Sequence, residues 1–383
     1  MSITSKVIIK KADYDYELLK PIVFEMLDTI ASGRISRNVR VLIKPNLLSP
    51  ARPDSGITTH PVLVRLVAEY ALDHGAAVQI SDSPAVGSFH KILKRGGYKE
   101  ALADLAVNVK PFRESIKVDI GEPFGTIELA KDALEADLVI NLAKLKTHAQ
   151  MLLTLGVKNL FGCVVGVRKP QWHLRAGVDR QMFASLLVRI CQKVSPLVTI
   201  VDGILAMEGQ GPGKSGLPRE LGLLIGGDNA FAVDTAICSL LGLKSEDLLT
   251  CDQARKLGVF DGQAHINGDF TIINDFKFPE LGELSFGPPS LNQFFRRHLI
   301  QRPVADNKIC TLCGKCWNYC PAKAITYNIK GIRFNYTDCI RCYCCIEICP
   351  HGAILAKKPF IGKVLRWFAE KKNKERGRNN FHR

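Results

Sequence analysis

The sequence predicts an α/β body, with a mainly parallel sheet covered by helices, followed by a small cysteine-rich α+β domain. Three observations predict it. Short apolar strands alternate with amphipathic helices from residue 6 to about residue 290, the pattern of a sheet buried on both faces. Nine of the chain's 13 cysteines fall between Cys310 and Cys349. The basic charge is also concentrated in the last part of the chain, which marks a change of character near residue 300. The expected division is a body over 1–290, a basic linker over 291–304, the cysteine-rich domain over 305–357 and a basic amphipathic tail over 358–383.

Taken in order, VIIKKA is strand-like, YELLKPIVFEMLDTIA repeats its apolar residues at helical intervals, and VLIKPNLL is again a strand. HPVLVRLVAEYALDHG is an amphipathic helix stopped at Gly75, and AVQISD returns as a strand. DLVINL, PLVTIVDGI and LGLLIGG are further buried strands, with helices over about 182–194 and 231–241. The charged fraction of 23% and hydrophobic fraction of 46% are those of a globular chain. No apolar segment of signal-peptide length opens this sequence, and no 18 residues run apolar without a charge. Both observations predict a cytoplasmic protein.

In open α/β sheets, ligands collect beyond the carboxyl ends of strands. Lys44 and Asn46 follow VLI, and Asp82 and Ser83 follow VQI. Lys144, Lys146, Thr147 and His148 follow DLVINL, and Asp202 and Glu208 come at and beyond TIV. Lys158 with Asn159, and Lys169 with His173, add two more basic pairs. Any one of these residues could equally solvate a loop or cap a helix. If they converge, they make a cleft for a small anionic compound, with a metal ion on His148 and His173 as a further option. In that reading Lys44, Asn46, Lys158, Asn159 and Glu208 bind substrate. Lys146 and His148 are the candidate catalytic residues, His148 as a proton donor.

Two glycine-rich strings carry less than they suggest. EGQGPGKSG has Glu208 where a phosphate-binding loop needs glycine, and Pro212 and Pro218 oppose the required amides and helix. It reads better as a turn passing close to a ligand. GGDNAFAVD holds no dinucleotide fingerprint, and Asp228, with Asn229 beside it, is the expected N-cap of the following helix.

The cysteines form an internal repeat of 29 residues. Cys310, Cys313, Cys316, Cys320 and Pro321 align with Cys339, Cys342, Cys345, Cys349 and Pro350. Three cysteines at three-residue intervals, then a fourth before proline, is the bacterial ferredoxin spacing. A tight turn presents three thiolates to one cubane, and the fourth reaches the neighbouring one. The expectation is a ferredoxin-like domain with two [4Fe–4S] clusters. One is held by Cys310, Cys313, Cys316 and Cys349, the other by Cys339, Cys342, Cys345 and Cys320. Zinc ribbons lack the doubled third ligand, and disulfides conflict with a cytosolic chain. Eight thiolates for eight iron corners leave no corner open to substrate, so the module should pass single electrons. Cys344 lies outside the pattern and reads as a free thiol packed beside Tyr343. Cys163, Cys191, Cys238 and Cys251 read as buried small hydrophobes.

KPNLL, LAKLKTH, GVKNLFG, KPQWH, VDGI and EGQGPG together resemble domain-of-unknown-function family 362, over roughly residues 6–250. That family is often fused to a C-terminal ferredoxin-like segment. The positions matching its strings are Lys44, Asn46, Lys146, His148, Lys158, Asn159 and Glu208. The resemblance implies an iron–sulfur protein and no settled substrate.

The formal net charge of +15 is mostly a tail property, because residues 301–383 hold 17 Lys+Arg against 5 Asp+Glu. Residues LNQFFRRHLIQRP read as a short basic helix ending before Pro303. In the tail, Phe360, Val364, Leu365, Trp367 and Phe368 share one helical face among basic residues. Packing on the protein, a peripheral contact with an anionic membrane surface, and docking of an acidic partner or nucleic acid all fit such a tail. No groove-reading motif supports sequence-specific nucleic-acid binding. Two functions compete. In the first, the chain moves single electrons between an external redox partner protein and a small anionic substrate. In the second, it is a non-enzymatic carrier or redox sensor whose body docks a partner or effector.

Overall fold

The computed structural model describes residues 5–166, 168–279, 301–357 and 359. The body is built on a nine-stranded sheet. Its strands are β1 (Ser5–Lys11), β2 (Arg40–Pro45), β3 (Ala77–Ile80), β4 (Asn108–Val109), β7 (Leu138–His148), β8 (Leu152–Thr154), β9 (Val198–Gly209), β10 (Gly216–Gly227) and β11 (Ala264–Gly268). A separate hairpin joins β5 (Ser115–Asp119) to β6 (Thr126–Ala130). The sheet order is β11-β1-β10-β9-β7-β2-β3-β4, with β8 paired to the end of β7. The run from β9 to β4 is parallel throughout, whereas β10 lies antiparallel to both β1 and β9. The sheet is thus mixed, with its parallel half running from β9 to the edge strand β4.

Both faces are covered, because successive strand residues point to opposite sides. Val41, Ile43 and Ile140 pack with helices Tyr16–Ala31 and Pro61–Asp73, through residues such as Met26 and Leu66. Leu42, Val139 and Ala143 pack with helices Arg180–Val194 and Ala230–Leu240, through residues such as Leu186 and Ile237. Asp15 caps the first helix by accepting from the Leu18 amide at 3.0 Å. Gly75 closes the region after the second at φ +77°.

Three sequence expectations need correction. Lys144, Lys146, Thr147 and His148 lie within β7, not after it, and Asp202 and Glu208 lie within β9. The strands run on because β8 pairs with the end of β7 and β9 keeps pairing across an irregularity between Lys144 and Lys146. The N-cap of helix Ala230–Leu240 is Asn229, whose Oδ1 accepts from Phe231 and Ala232, while Asp228 accepts from the Lys6 amide at the sheet edge. Residues 302–304, assigned by sequence to the linker, belong with Ala305 to strand β12 (Arg302–Ala305) of the small domain, which pairs with β15 (Ile354–Lys357). Residues 291–300 of the expected linker helix and the whole 358–383 tail, Pro359 apart, lie outside the described residues.

In the small domain the 29-residue repeat of the sequence reappears as structure. β12 corresponds to β14 (Gly331–Phe334), helix Lys315–Tyr319 to helix Cys344–Ile348, and β13 (Ile325–Asn328) to β15. The pairing crosses between halves, β12 with β15 and β13 with β14. Leu312 and Gly314 share positive φ with their counterparts Arg341 and Tyr343. The Ala324 amide donates to Cys320 Sγ at 3.4 Å and the Ala353 amide to Cys349 Sγ at 3.3 Å, again 29 residues apart.

Candidate functional site

The cleft forms where β2 and β7 end and where the turns after β3 and β8 rise beside them. Lys44, the next-to-last residue of β2, is buried and pairs with Asp82 at 2.8 Å. Gly162 lies against this pair. A Cβ there would collide with Asp82 Oδ1 and stand 2.6 Å from Lys44 Nζ, so only glycine leaves the ion pair intact. Lys146 Nζ donates to Asn46 Oδ1 and to the Ile57 carbonyl, each at 2.8 Å. Asn46 in turn donates to Asn159 Oδ1 at 2.9 Å, and Asn159 donates to Asn141 Oδ1 at 2.8 Å.

The short helix Gly156–Asn159 carries Lys158 and Asn159. Buried Asp234 holds its first turn by accepting from the Gly156 and Val157 amides at 2.8 and 3.1 Å. Burial pushes the Asp234 carboxyl up to about 7, against the pull of those two amides. Lys158 is half-buried and forms no hydrogen bond or ion pair among the described residues. Lys169 and His173 are four apart on helix Arg168–Ala176 and so share a face. Lys169 Nζ donates to the Ser83 carbonyl and hydroxyl at 2.7 and 2.9 Å. His173 stacks on Phe183 with ring centroids 4.3 Å apart, and its Nδ1 is buried with no hydrogen-bond partner among the described residues.

His148 closes the cleft. Its Nδ1 accepts from the Gln150 and Met151 amides, each at 3.1 Å, so its ring proton sits on Nε2. That nitrogen lies 2.6 Å from Glu347 Oε1, which belongs to the small domain. Tyr319, Cys344 and Glu347 of the small domain line the same cleft. Burial lowers the titration of most of these bases. His148 falls to about 4, helped by Lys158, and His173 to about 3. Lys146 falls to about 7, again with Lys158 contributing, and Lys169 to about 8. Burial alone would raise the Glu347 carboxyl, but His148 and Lys158 hold it below the ordinary carboxylate range.

Of the predicted residues, Lys44, Asn46, Lys146, His148, Lys158 and Asn159 all line this one cleft. Glu208 does not. It sits at the end of β9 and accepts from the Lys277 amide at 3.2 Å. Lys144 also points elsewhere, to a buried pair with Asp202 at 2.8 Å and to Tyr14 at 2.9 Å. The β7–β9 pairing is irregular between Lys144 and Lys146, and the two side chains part there, Lys144 to Asp202 and Lys146 to Asn46. Among the described residues, no three His, Cys, Asp or Glu side chains gather to hold a single metal ion, so the His148–His173 metal option has no third ligand.

Glu347 was the residue missed. It is the single acid between Cys339 and Lys357, a signal visible in the sequence but hidden inside a string read only for its cysteines. Cys344 does not merely pack beside Tyr343. It is buried and lines the cleft. Cys163, Cys191, Cys238 and Cys251 are buried, as expected of small hydrophobes.

The cysteines of the small domain fit an iron–sulfur centre. Cys310, Cys313, Cys316 and Cys349 line one cavity, the last of them coming from the other half of the repeat. Burial raises the Cys320 thiol, with Cys342 and Cys339 near enough to add to the rise. Backbone amides donate to Cys320 and Cys349, the arrangement that stabilises thiolates at a cluster.

A family model described as "Domain of unknown function (DUF362)" matches residues 41–239, and one described as "4Fe-4S dicluster domain" matches residues 302–350. The chain belongs to the DUF362 family. Its dicluster domain makes it an iron–sulfur protein. A thylakoid-associated protein of Synechocystis sp. is 37% identical over 273 residues, covering 70% of this chain and 85% of that one. The pyruvate synthase subunit PorD of Thermotoga maritima is 40% identical over 58 residues, covering 14% of this chain and 57% of that one. PorD of Methanocaldococcus jannaschii is 37% identical over 54 residues, covering 14% of this chain and 63% of that one. The lactate racemase apoprotein of Thermoanaerobacterium thermosaccharolyticum aligns at TM-score 0.37 and 14% identity, covering 53% of this chain and 51% of that one. No described helix of this DUF362 protein is long and apolar enough to cross a membrane.

Proposed function

We propose that this protein is an iron–sulfur oxidoreductase acting on a small anionic compound held in the cleft between body and dicluster domain. Two [4Fe–4S] clusters are assigned, one to Cys310, Cys313, Cys316 and Cys349 and the other to Cys339, Cys342, Cys345 and Cys320. When bound, they supply single-electron transfer to an external redox partner protein. One observation carries the reading: the cleft wall includes Tyr319 and Cys344, chain neighbours of Cys320 and Cys345, so the ligand site borders the second set of cysteines.

The residues of the cleft have separable tasks. Lys44 and Asp82 form its floor, and Lys146, Lys158 and Lys169 attract and orient the anion. His148 holds a proton on Nε2, aimed at Glu347, where it can be passed to a bound compound. Closure by the dicluster domain keeps bulk water from this corner. Native mass spectrometry of anaerobically purified protein, intact and then denatured, tests the reading. A retained small anion beside about eight irons per chain supports it, and cluster mass with a cleft that binds no anion contradicts it.

The PorD matches favour a second reading, in which the dicluster domain serves a partner enzyme as a carrier. In that case His148→Ala leaves every electron-transfer rate unchanged. The name of the thylakoid-associated relative favours peripheral membrane contact by a cytoplasmic protein through its basic tail. Vesicle flotation of the full chain against a chain ending at Lys358 tests it, equal behaviour rejecting the contact.

A further inference from the structure

We propose that the cleft is built for a dianion, a small compound bearing two carboxylates or one doubly charged phosphate, with Lys158 as its direct charge partner. This deepens the reading above and rests on it for the location of the site. Four ammonium groups, those of Lys44, Lys146, Lys158 and Lys169, share the cleft with two carboxylates, those of Asp82 and Glu347. Asp82 pairs with Lys44, and Glu347 is in contact with His148. The other three lysines have no carboxylate within ion-pair distance among the described residues, so two positive charges stand unbalanced in a largely buried site. Burying unpaired charge is costly, and a bound dianion removes the cost.

The donors point to the same conclusion. An ammonium has three N–H bonds. Lys146 uses two, on Asn46 and the Ile57 carbonyl, and Lys169 uses two, both on Ser83. Lys158 uses none. The buried Nδ1 of His173 and hydroxyl of Thr154 are also without hydrogen-bond partners among the described residues, and both residues line the cleft. Spare ammonium N–H bonds and a spare hydroxyl suit an oxyanion with several acceptor atoms.

The rival account is that the surplus only balances the charge of the cluster assigned to Cys339, Cys342, Cys345 and Cys320. The test separates the two. The full chain, purified without oxygen and holding its clusters, is titrated by calorimetry with malonate, inorganic phosphate and acetate. The expected result is that malonate or phosphate binds at least tenfold tighter than acetate. Malonate alone identifies a dicarboxylate site, phosphate alone a phosphate site, and both together the shared double charge. Lys158→Met should lose that preference while retaining full iron content, and Lys158→Arg should keep it.

Equal affinity for acetate and the dianions overturns the proposal, as does failure of all three to bind. So does a Lys158→Met protein that keeps the preference, or one whose sole change is a shifted cluster potential. The redox reading fails separately: a dianion that binds as expected but moves neither cluster potential contradicts electron transfer to the cleft and leaves the charge assignment standing.

Discussion

His148 Nε2 of the body stands 2.6 Å from Glu347 Oε1 of the dicluster domain, in a contact that is largely buried on both sides. Two backbone amides occupy the other ring nitrogen, so the ring proton sits on the nitrogen that faces Glu347 across the boundary. The contact ties the end of β7 to the short helix between Cys344 and Ile348, and so fixes the cleft against one set of cluster cysteines. Replacing His148 by alanine strands a buried carboxylate. The expected loss is about 1.5–3 kcal/mol of unfolding free energy, read by anaerobic urea denaturation with iron content unchanged.

Cross-ligation between the repeat halves predicts which cysteine variants behave alike. Cys310→Ser and Cys349→Ser should each lose one cluster, and Cys339→Ser and Cys320→Ser should each lose the other. Each variant should retain about four irons in place of about eight. Paramagnetic resonance of the reduced proteins should sort the four into two pairs. Sorting by sequence neighbourhood, Cys310 with Cys320, contradicts the assignment.

The floor of the cleft offers a test that removes no charged group. Gly162→Ala drives a methyl group into the Lys44–Asp82 pair. It should lower the denaturation midpoint and weaken anion binding together. Asp82→Ala, which leaves Lys44 buried and unpaired, should cost more, about 3–5 kcal/mol.

Anion affinity should depend on pH with a definite sign. The charged ammonium is the form that binds an anion, and burial brings Lys146 down to about 7 and Lys169 to about 8. Both are charged at pH 6. Raising the pH through these values removes the charge, so affinity should fall between pH 6 and 9, with protons taken up on binding near pH 8. Calorimetry in buffers of different ionisation enthalpy measures both effects. An affinity that rises with pH contradicts the assignment of the lysines.

Much of this was readable from residue order because local chemistry fixed it. The helix Tyr16–Ala31 follows its apolar periodicity and the Asp15 cap. The dicluster domain follows its cysteine spacing, and its 29-residue repeat survives intact in three dimensions. The ends of β7 and β9 were not readable. A strand that continues through Lys144, Lys146 and His148 does so only because β8 and β9 supply partners, and hydropathy carries no sign of that. Across the irregular pairing there Lys144 reaches Asp202 and Lys146 reaches Asn46, a separation that spacing alone could not show. Strand order groups Glu208 with the cleft, but the length of β9 carries it to Lys277. Glu347 reaches the cleft only through the docking of one domain on the other.

The central claim is that the cleft and the neighbouring cluster act as one redox device. It is tested most directly by a redox titration followed by paramagnetic resonance, on full-chain protein with and without a saturating bound dianion. The account predicts that the potential of the cluster lost in Cys339→Ser shifts on binding, while that of the cluster lost in Cys310→Ser stays where it was. Two potentials that both ignore the ligand, or that move together by the same amount, would contradict it.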